Sequence, residues 1–130
     1  MVIVTESPLD PAALYAKLQK DNAGSIIFHY AVVKNETGGK QTSGIRFERN
    51  GDTEAELSAI EDDLMNKWSL SGVLLIRRIG TLQVGDIISL VAVSSPASSD
   101  AFEACQYGLG RLRKMQNIKK TELYTDQVTS

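Results

Sequence analysis

The sequence contains very little cysteine and histidine, with one residue of each among 130. A single cysteine cannot form a disulfide within the chain, which is typical of proteins from a reducing compartment. One histidine, one cysteine and scattered carboxylates do not form the ligand cluster of a metal site. The sequence therefore predicts neither a metal nor another bound cofactor.

Long apolar runs are also absent from the sequence. No stretch approaches the roughly 18 consecutive apolar residues that a membrane-spanning helix needs. The amino-terminal segment carries Glu6 and Asp10, whereas a secretory signal peptide has basic residues followed by an apolar core. We therefore expect a soluble, cytoplasmic protein that does not enter a membrane.

The net charge is small, −2, and unevenly distributed. A chain of this charge has no general attraction to nucleic acid. Residues 111–120, RLRKMQNIKK, carry five basic side chains and no acid, whereas residues 52–63 carry six acids and no base. We call residues 111–120 the basic segment. Its cations fit two explanations, which are stabilisation of a helix carboxyl end through the helix dipole and an anion-binding pocket.

Hydrophobic residues make up 42% of the chain, enough for one packed core, and we expect residues 1–130 to form a single domain. Helical spacing and alternating or β-branched segments define the elements. Helices are predicted at 11–22, 53–68 and about 99–115, with strands at 25–33, 45–49, 72–80 and 86–95 and a short closing strand at 122–128. This order, with hairpin-length links, predicts an α+β domain on a largely antiparallel sheet.

Local signals refine the boundaries of these elements. Asp10 followed by Pro11 predicts a helix start, and Thr53 with Glu56 forms the pattern of a capping box. Residues 34–44, KNETGGKQTSG, are predicted to form a mobile loop because they combine a Gly-Gly pair with polar residues.

Most side chains with reactive groups have a structural explanation. The helical register predicts that Phe102, Cys105, Leu109 and Leu112 share a buried face, which favours a buried thiol over a nucleophile. His29 alternates within a strand and is predicted to be a hydrogen-bonded structural histidine. The glycines of YGLGRL lie inside a helical pattern, so they do not form a phosphate-binding loop. Lys34 and the basic segment remain as candidates, because both follow the end of an element and can converge on a ligand.

A long motif covers residues 76–114, IRRIGTLQVGDIISLVAVSSPASSDAFEACQYGLGRLRK. It resembles the molybdopterin synthase large (catalytic) subunit family, whose pattern is an Arg-Ile-Gly, a Leu, a Gly-Asp turn, an alternating strand and a helix start with Ala-Phe-x-Ala. The matching residues, in order and without a gap, are Arg78-Ile79-Gly80, Leu82, Gly85-Asp86, Val91, Val93 and Ala101-Phe102-Glu103-Ala104. The likeness extends more weakly from about residue 25 to Glu122 and includes Val33-Lys34-Asn35, which is similar to the family's Val-Arg-Asn.

The resemblance implies a fold, an activity and partners. It implies an α/β hammerhead-type fold and a symmetric homodimer with a small ubiquitin-like sulfur-carrier subunit at each end. The carrier's Gly-Gly tail ends in a thiocarboxylate, from which sulfur passes to cyclic pyranopterin monophosphate to form the dithiolene of molybdopterin. A pocket that holds a phosphate and a thiocarboxylate together needs cations, because like charges repel unless they are neutralised.

The resemblance also assigns site residues. A catalytic lysine of the family falls at Arg113, and a tryptophan-lysine pair falls at Lys119-Lys120. The resemblance thus implies catalytic roles for Arg113, Lys114 and Lys120, and substrate-binding roles for Lys34, Arg113 and Lys119. An arginine keeps the positive charge but stays protonated, so the reactive amine, if one is required, is Lys120 or Lys114.

The turn before Ala-Phe-x-Ala departs from the family. A His-Arg pair that contributes to anion binding in the family is replaced here by Ala97-Ser98. Three interpretations follow: a divergent synthase subunit, a noncatalytic dimeric relative that retains carrier binding, and a dimeric module that binds another small anion.

Overall fold

The computed structural model describes residues 1–125 of the chain. This range contains three helices and eight strands, joined by turns and loops. The helices are α1 Pro11–Lys17, α2 Thr53–Lys67 and α3 Ser98–Arg113. The strands are β1 Val2–Thr5, β2 Ser25–Val32, β3 Glu36–Thr37, β4 Lys40–Arg49, β5 Gly72–Arg78, β6 Gly80–Gln83, β7 Ile87–Ser95 and β8 Ile118–Tyr124.

The strands form two sheets. The first sheet has the order β1-β5-β7-β2, in which β1 and β5 are parallel and the other neighbours are antiparallel. In the second sheet β4 pairs antiparallel with β3, β6 and β8. The prediction of an α+β domain with largely antiparallel pairing is confirmed.

The first sheet is covered on both faces, which explains the continuous apolar run of β5. Val73 and Leu75 belong to a core cluster with residues of α2 and α3. Leu74 and Ile76 face the other way and pack in a second cluster with residues of α1. All residues of β5 are buried, as expected for a strand with helices on both sides.

The second sheet packs through a third cluster of its own. Val33, Ile45, Phe47 and Leu82 are buried together, with Ile88 and Ile118 packed against them. Ile88 lies in β7 of the first sheet, so this cluster joins the two sheets. Its position beside the end of β5 creates the site described below.

Residues 34–44 are not the mobile loop expected from the sequence. They contain β3 and the first part of β4, with Thr37 opposite Lys40. Gly38 and Gly39 have φ of 59° and 80°, the left-handed values that a two-residue hairpin turn requires. The Gly-Gly pair thus marks a tight turn between paired strands.

The start of α2 differs from the predicted capping box. Asp52 is the N-cap, and its carboxylate accepts a hydrogen bond from the Ala55 amide at 2.9 Å. The Glu56 carboxylate is therefore free for other partners, and it accepts hydrogen bonds from the Gln116 and Asn117 amides, both at 2.8 Å. At α1 the prediction was correct, since Asp10 Oδ1 accepts from the Ala12 amide at 3.2 Å with Pro11 in the first turn.

Several element boundaries also differ from the sequence-based ones. Helix α1 ends at Lys17 instead of residue 22, and β1 and β6 were not predicted. Short strands of four residues carry too little alternation to be recognised. The closing strand begins at Ile118 instead of residue 122, and residues 126–128 of the predicted strand lie outside the described residues.

The buried face of α3 was predicted incorrectly at Phe102, which is 66% exposed. The helix packs on the sheet through small residues, because a side chain at Gly108 would lie 3.2 Å from Leu64 and Val91. The buried residues of α3 are Ala101, Ala104, Cys105, Gly108 and Leu112. The large apolar Phe102 therefore lies beside the buried stripe.

Candidate anion-binding cavity

A cavity of about 280 Å³ lies where the two sheets meet the carboxyl end of α3. This volume is near the lower limit of small-molecule sites. Strands of both sheets, the last two turns of α3 and the segment that follows it contribute to its wall. The lining residues are Ala31, Phe47, Arg77, Ile88, Ser89, Leu109, Leu112, Arg113, Met115, Ile118 and Lys120.

All charged side chains that line the cavity are positive. Arg77, Arg113 and Lys120 are the ionisable residues among the lining residues, and none of the lining residues is an Asp or Glu. The nearest carboxylate to Lys120 is that of Glu122, whose Oε1 lies 3.5 Å from the lysine Nζ. A concave site with three cations and apolar walls is suited to a ligand that carries negative charge.

Two of the residues named from the sequence come together in this cavity. Arg113 is the last residue of α3, and Lys120 lies on β8 directly opposite Phe47 of β4. Lys119 pairs with Glu48 instead, and successive side chains of a strand point to opposite faces. The pleat of β8 therefore directs Lys120 into the cavity and Lys119 away from it.

The other two named lysines do not line the cavity. Lys34 is exposed just after β2, and Lys114 is exposed at the C-cap of α3. Their assigned roles, and that of Lys119, stay predictions from the resemblance.

Sequence reasoning missed Arg77, the most buried cation of the cavity. Arg77 is 7% exposed, and its guanidinium carbon lies 4.7 Å from the centre of the Phe47 ring. Burial lowers the pKa of Arg77 to about 10, so the side chain is protonated at neutral pH. A signal was present, because two arginines that end a buried strand must point to opposite faces, and Arg77 shares the face of Leu75.

The loop between Arg113 of α3 and Lys120 of β8 is held by residues of α2, which lie outside the cavity. Glu56 of α2 holds the Gln116 and Asn117 amides, and the Thr53 hydroxyl donates to the Asn117 carbonyl at 2.7 Å. These contacts lie between Arg113 and Lys120 in sequence. Helix α2 therefore sets the spacing of two cavity cations without lining the cavity.

The basic segment divides into cations with different roles. Arg111 donates to Asp63 Oδ2 at 2.5 Å and to the Tyr107 hydroxyl at 3.2 Å. The Tyr107 hydroxyl donates to the same carboxylate, and this hydrogen bond, with smaller contributions from Lys67 and Arg111, lowers the pKa of Asp63. Arg111 thus joins α3 to α2, while Arg113 and Lys120 serve the cavity.

Cys105 and His29 do not supply a nucleophilic pair. Burial raises the pKa of the Cys105 thiol to about 11, and its Sγ lies 3.8 Å from the Val91 carbonyl oxygen. The thiol therefore stays protonated at neutral pH, as expected for a buried cysteine. The prediction of a hydrogen-bonded His29 was wrong, because its buried Nδ1 has no hydrogen-bond partner in the described structure.

Neither a metal-binding cluster nor a membrane-spanning helix is present within residues 1–125. No group of three or more His, Cys, Asp or Glu residues in this range is arranged to hold a metal ion. None of the helices within the same range combines the length and apolar character needed to cross a bilayer.

Comparison with known proteins gives consistent matches along the chain. The family model described as "MoaE protein" matches residues 4–115. The molybdopterin synthase catalytic subunit of Bacillus subtilis is 29% identical over 124 residues, which cover 95% of this chain and 79% of that protein. The protein of the same name from Staphylococcus aureus strain Mu50 is 33% identical over 104 residues, covering 79% of this chain and 70% of that protein.

Solved structures agree with these sequence matches. Molybdopterin synthase from Staphylococcus aureus superposes with a TM-score of 0.86 at 28% identity, covering 95% of this chain and 90% of that chain. A complex of subunits 1 and 2 of molybdopterin-converting factor from Helicobacter pylori gives a TM-score of 0.71 at 15% identity, covering 97% of this chain and 90% of that chain, which is a likeness of fold.

Proposed function

Because the chain belongs to the MoaE protein family, whose model matches residues 4–115, we propose that it acts as the catalytic subunit of a molybdopterin synthase. The resemblance found in the sequence is confirmed at the level of the family. In the proposed reaction, sulfur passes from the thiocarboxylated tail of a small carrier subunit to cyclic pyranopterin monophosphate, a step of molybdenum cofactor biosynthesis.

The observation that carries the proposal is the cationic cavity. Its lining residues include Arg113 and Lys120, two positions at which the resemblance implies a role, and they include no carboxylate. Both reactants of the synthase are anions, so a site that holds them together must supply positive charge. The apolar wall, with Leu109, Leu112 and Ile118, reduces contact with water and strengthens these charge interactions.

We assign different tasks to the two exposed cations. Arg113 steadies an anionic group, because its positively charged guanidinium offers a planar fork of donors. Lys120 lies opposite Phe47 and is the amine inside the cavity. Its attack on the carrier's terminal carbonyl forms a carrier–lysine amide and breaks the carbon–sulfur bond, which releases hydrosulfide for addition to the pterin. Water then hydrolyses the amide and returns the free lysine and a carrier that ends in a carboxylate. Glu122, 3.5 Å from Lys120 Nζ, holds this side chain in place.

The proposal includes partners and location. A sulfur carrier with a Gly-Gly tail, a symmetric dimer of this chain and a cytoplasmic setting are all taken from the family. An extended tail binds mainly through backbone hydrogen bonds and apolar contact, which do not require the His-Arg pair that Ala97-Ser98 replaces.

The direct test is reconstitution of the reaction. The purified protein is mixed with the thiocarboxylated carrier of its own organism and cyclic pyranopterin monophosphate, and dithiolene formation is followed with time. We expect repeated turnover that requires the carrier's two terminal glycines. Carrier binding without any turnover would instead support the noncatalytic relative, and no carrier binding would support a module for another anion.

Substitution of Arg113 tests its assigned task. We expect Arg113→Lys to retain sulfur transfer within about threefold, since the charge is kept while the bidentate donor fork is lost. Arg113→Ala should bind a carboxylated carrier tail more weakly than wild type but bind an amidated tail equally well, measured by calorimetry. A covalent adduct between the carrier and Arg113→Lys, seen by mass spectrometry, would show instead that this position carries the reactive amine.

A further inference from the structure

Arg77 is a buried cation whose hydrogen-bonding groups are not satisfied by the protein. An arginine has five N–H donors in a fixed fork. Within residues 1–125 no hydrogen bond or ion pair to the Arg77 guanidinium is found, and its Nε is fully buried without a partner. The Phe47 ring, 4.7 Å away, offers a cation–π contact but accepts none of the in-plane donors.

The adjacent arginine shows what a structural arginine looks like in the same strand. Arg78 is equally buried at 7% and its Nε also lacks a partner, but its Nη2 donates to the Glu6 carbonyl oxygen at 3.0 Å and its Nη1 lies 3.9 Å from Asp86 Oδ2. These contacts tie β5 to the residue that follows β1 and to the turn before β7. Arg77 has no corresponding contacts, although the two residues are neighbours in the chain.

Glu56, the acid that acts electrostatically on Arg77, already accepts hydrogen bonds from other groups. Glu56 favours the charged form of Arg77 at a distance, but the pKa of Arg77 is still lowered overall by burial. Both Glu56 oxygens accept backbone amides at 2.8 Å, from Gln116 and Asn117. Since leaving a buried charge without a hydrogen-bonded partner is costly, the folded protein alone does not account for Arg77.

We propose that Arg77 is a further binding residue of the cavity, whose guanidinium receives an oxyanion of the ligand at the inner wall. Arg113 and Lys120 are exposed, whereas Arg77 is 7% exposed, so the three cations run from the mouth of the cavity to its interior. An oxyanion that reaches Arg77 can accept hydrogen bonds from donors that the protein leaves unpaired, and the fork of donors matches phosphate or carboxylate geometry.

This oxyanion belongs to one of the two reactants of the proposed reaction, so its identification rests on the proposed function. Both the phosphate of the pterin and the carboxylate or thiocarboxylate end of the carrier tail present the required charge. Ser89 lies opposite Arg77 on β7 and lines the same cavity, so a hydroxyl is available beside the guanidinium for either group.

The test uses Arg77→Met, which keeps a long side chain but removes the charge and the donors. Three probes are titrated at constant ionic strength: inorganic phosphate, the carrier with a free carboxylate end, and the same carrier with an amidated end. We expect Arg77→Met to weaken binding of phosphate, of the carboxylate carrier, or of both by about fivefold or more. The amidated carrier should bind as it does to wild type. Loss for phosphate identifies the pterin as the source, and loss for the carboxylate carrier identifies the tail.

A stability measurement separates this role from a structural one. Since the proposal makes Arg77 an unpaired charge in the free protein, Arg77→Met should melt at or above the wild-type temperature in phosphate-free buffer. The probe whose binding depends on Arg77, phosphate or the carboxylate carrier, should raise the melting temperature of wild type more than that of Arg77→Met. Arg46→Met, at an exposed arginine that does not line the cavity, should behave as wild type in every titration.

Two results would overturn the proposal. One is unchanged binding of all three probes by Arg77→Met, and the other is a marked drop in its melting temperature without phosphate, which would make Arg77 structural. If wild type forms no dithiolene and binds no carrier but phosphate binding still depends on Arg77, the proposed function fails and the anion site remains.

Discussion

Replacing Lys120 with alanine should lower the rate of sulfur transfer by at least about tenfold, equivalent to about 1.4 kcal/mol of transition-state stabilisation. Lys120 is the amine directed into the cavity, and its side chain is 54% exposed, so the fold does not depend on it. The measurement is the initial rate of dithiolene formation with carrier and pterin in excess. The melting temperature should change little, because surface substitutions usually alter stability by less than about 0.5 kcal/mol.

The adjacent lysine provides a matched comparison. Lys119→Ala removes the same chemical group from the same strand, but on the face turned away from the cavity. The geometry of the cavity predicts that its rate stays within about twofold of wild type, whereas the substrate-binding role that the resemblance implies for Lys119 predicts a loss. Equal losses in both variants, or unchanged activity in Lys120→Ala, would exclude the assignment of the amine to Lys120.

Gly44→Ala should lower the free energy of unfolding by about 3 kcal/mol, a large effect for one methyl group. A Cβ at this position would lie 2.1 Å from the Leu82 carbonyl oxygen, far inside contact distance. Gly44 pairs with Gln83 of β6 and Leu123 of β8, at a point where the register of β4 and β8 shifts. Leu82 is fully buried, so the backbone cannot move aside freely.

Urea denaturation gives this free energy from the midpoint and slope of the transition. Gly110→Ala is the control, because a Cβ at this helical position of α3 meets nothing within 4 Å. Alanine is favoured over glycine inside a helix by about 0.5–1 kcal/mol, so this substitution should stabilise the protein. Identical midpoints for Gly44→Ala and wild type would mean that β4 and β6 do not approach each other as closely as described.

Long elements with a regular pattern were predictable from the sequence, and short ones were not. Helix α2 was found because Leu57, Ile60 and Leu64 recur at helical spacing, and all three are buried. Strands β1 and β6 were missed because four residues give no period to detect. Phe102 was misplaced because periodicity favours large apolar residues, whereas α3 approaches the sheet through Gly108 and alanines.

The candidate site was predictable in its charge but not in its geometry. The basic segment and the family motif pointed to Arg113 and Lys120, yet nothing in the order of residues separates Lys120 from Lys119 until the pairing of β8 with β4 is known. Arg77 lies inside the motif but was not singled out, because the evidence for its proposed role is that its Nε has no hydrogen-bond partner in the folded structure. The sequence indicated that Arg77 faces the core, but it did not indicate that the donors of Arg77 lack a partner there.

The contacts of Glu56 with the loop before β8 help to hold that strand against local opening. Lys120 belongs to the last described strand, which is held by its pairing with β4, by the packing of Ile118 against the third cluster and by the loop that Glu56 binds. The large core cluster around β5 contains no residue of β8. This strand can therefore detach by local opening, at a lower free energy than global unfolding. Since the proposed reaction uses Lys120, we expect mild heating to inactivate the protein reversibly while its helices and first sheet stay folded.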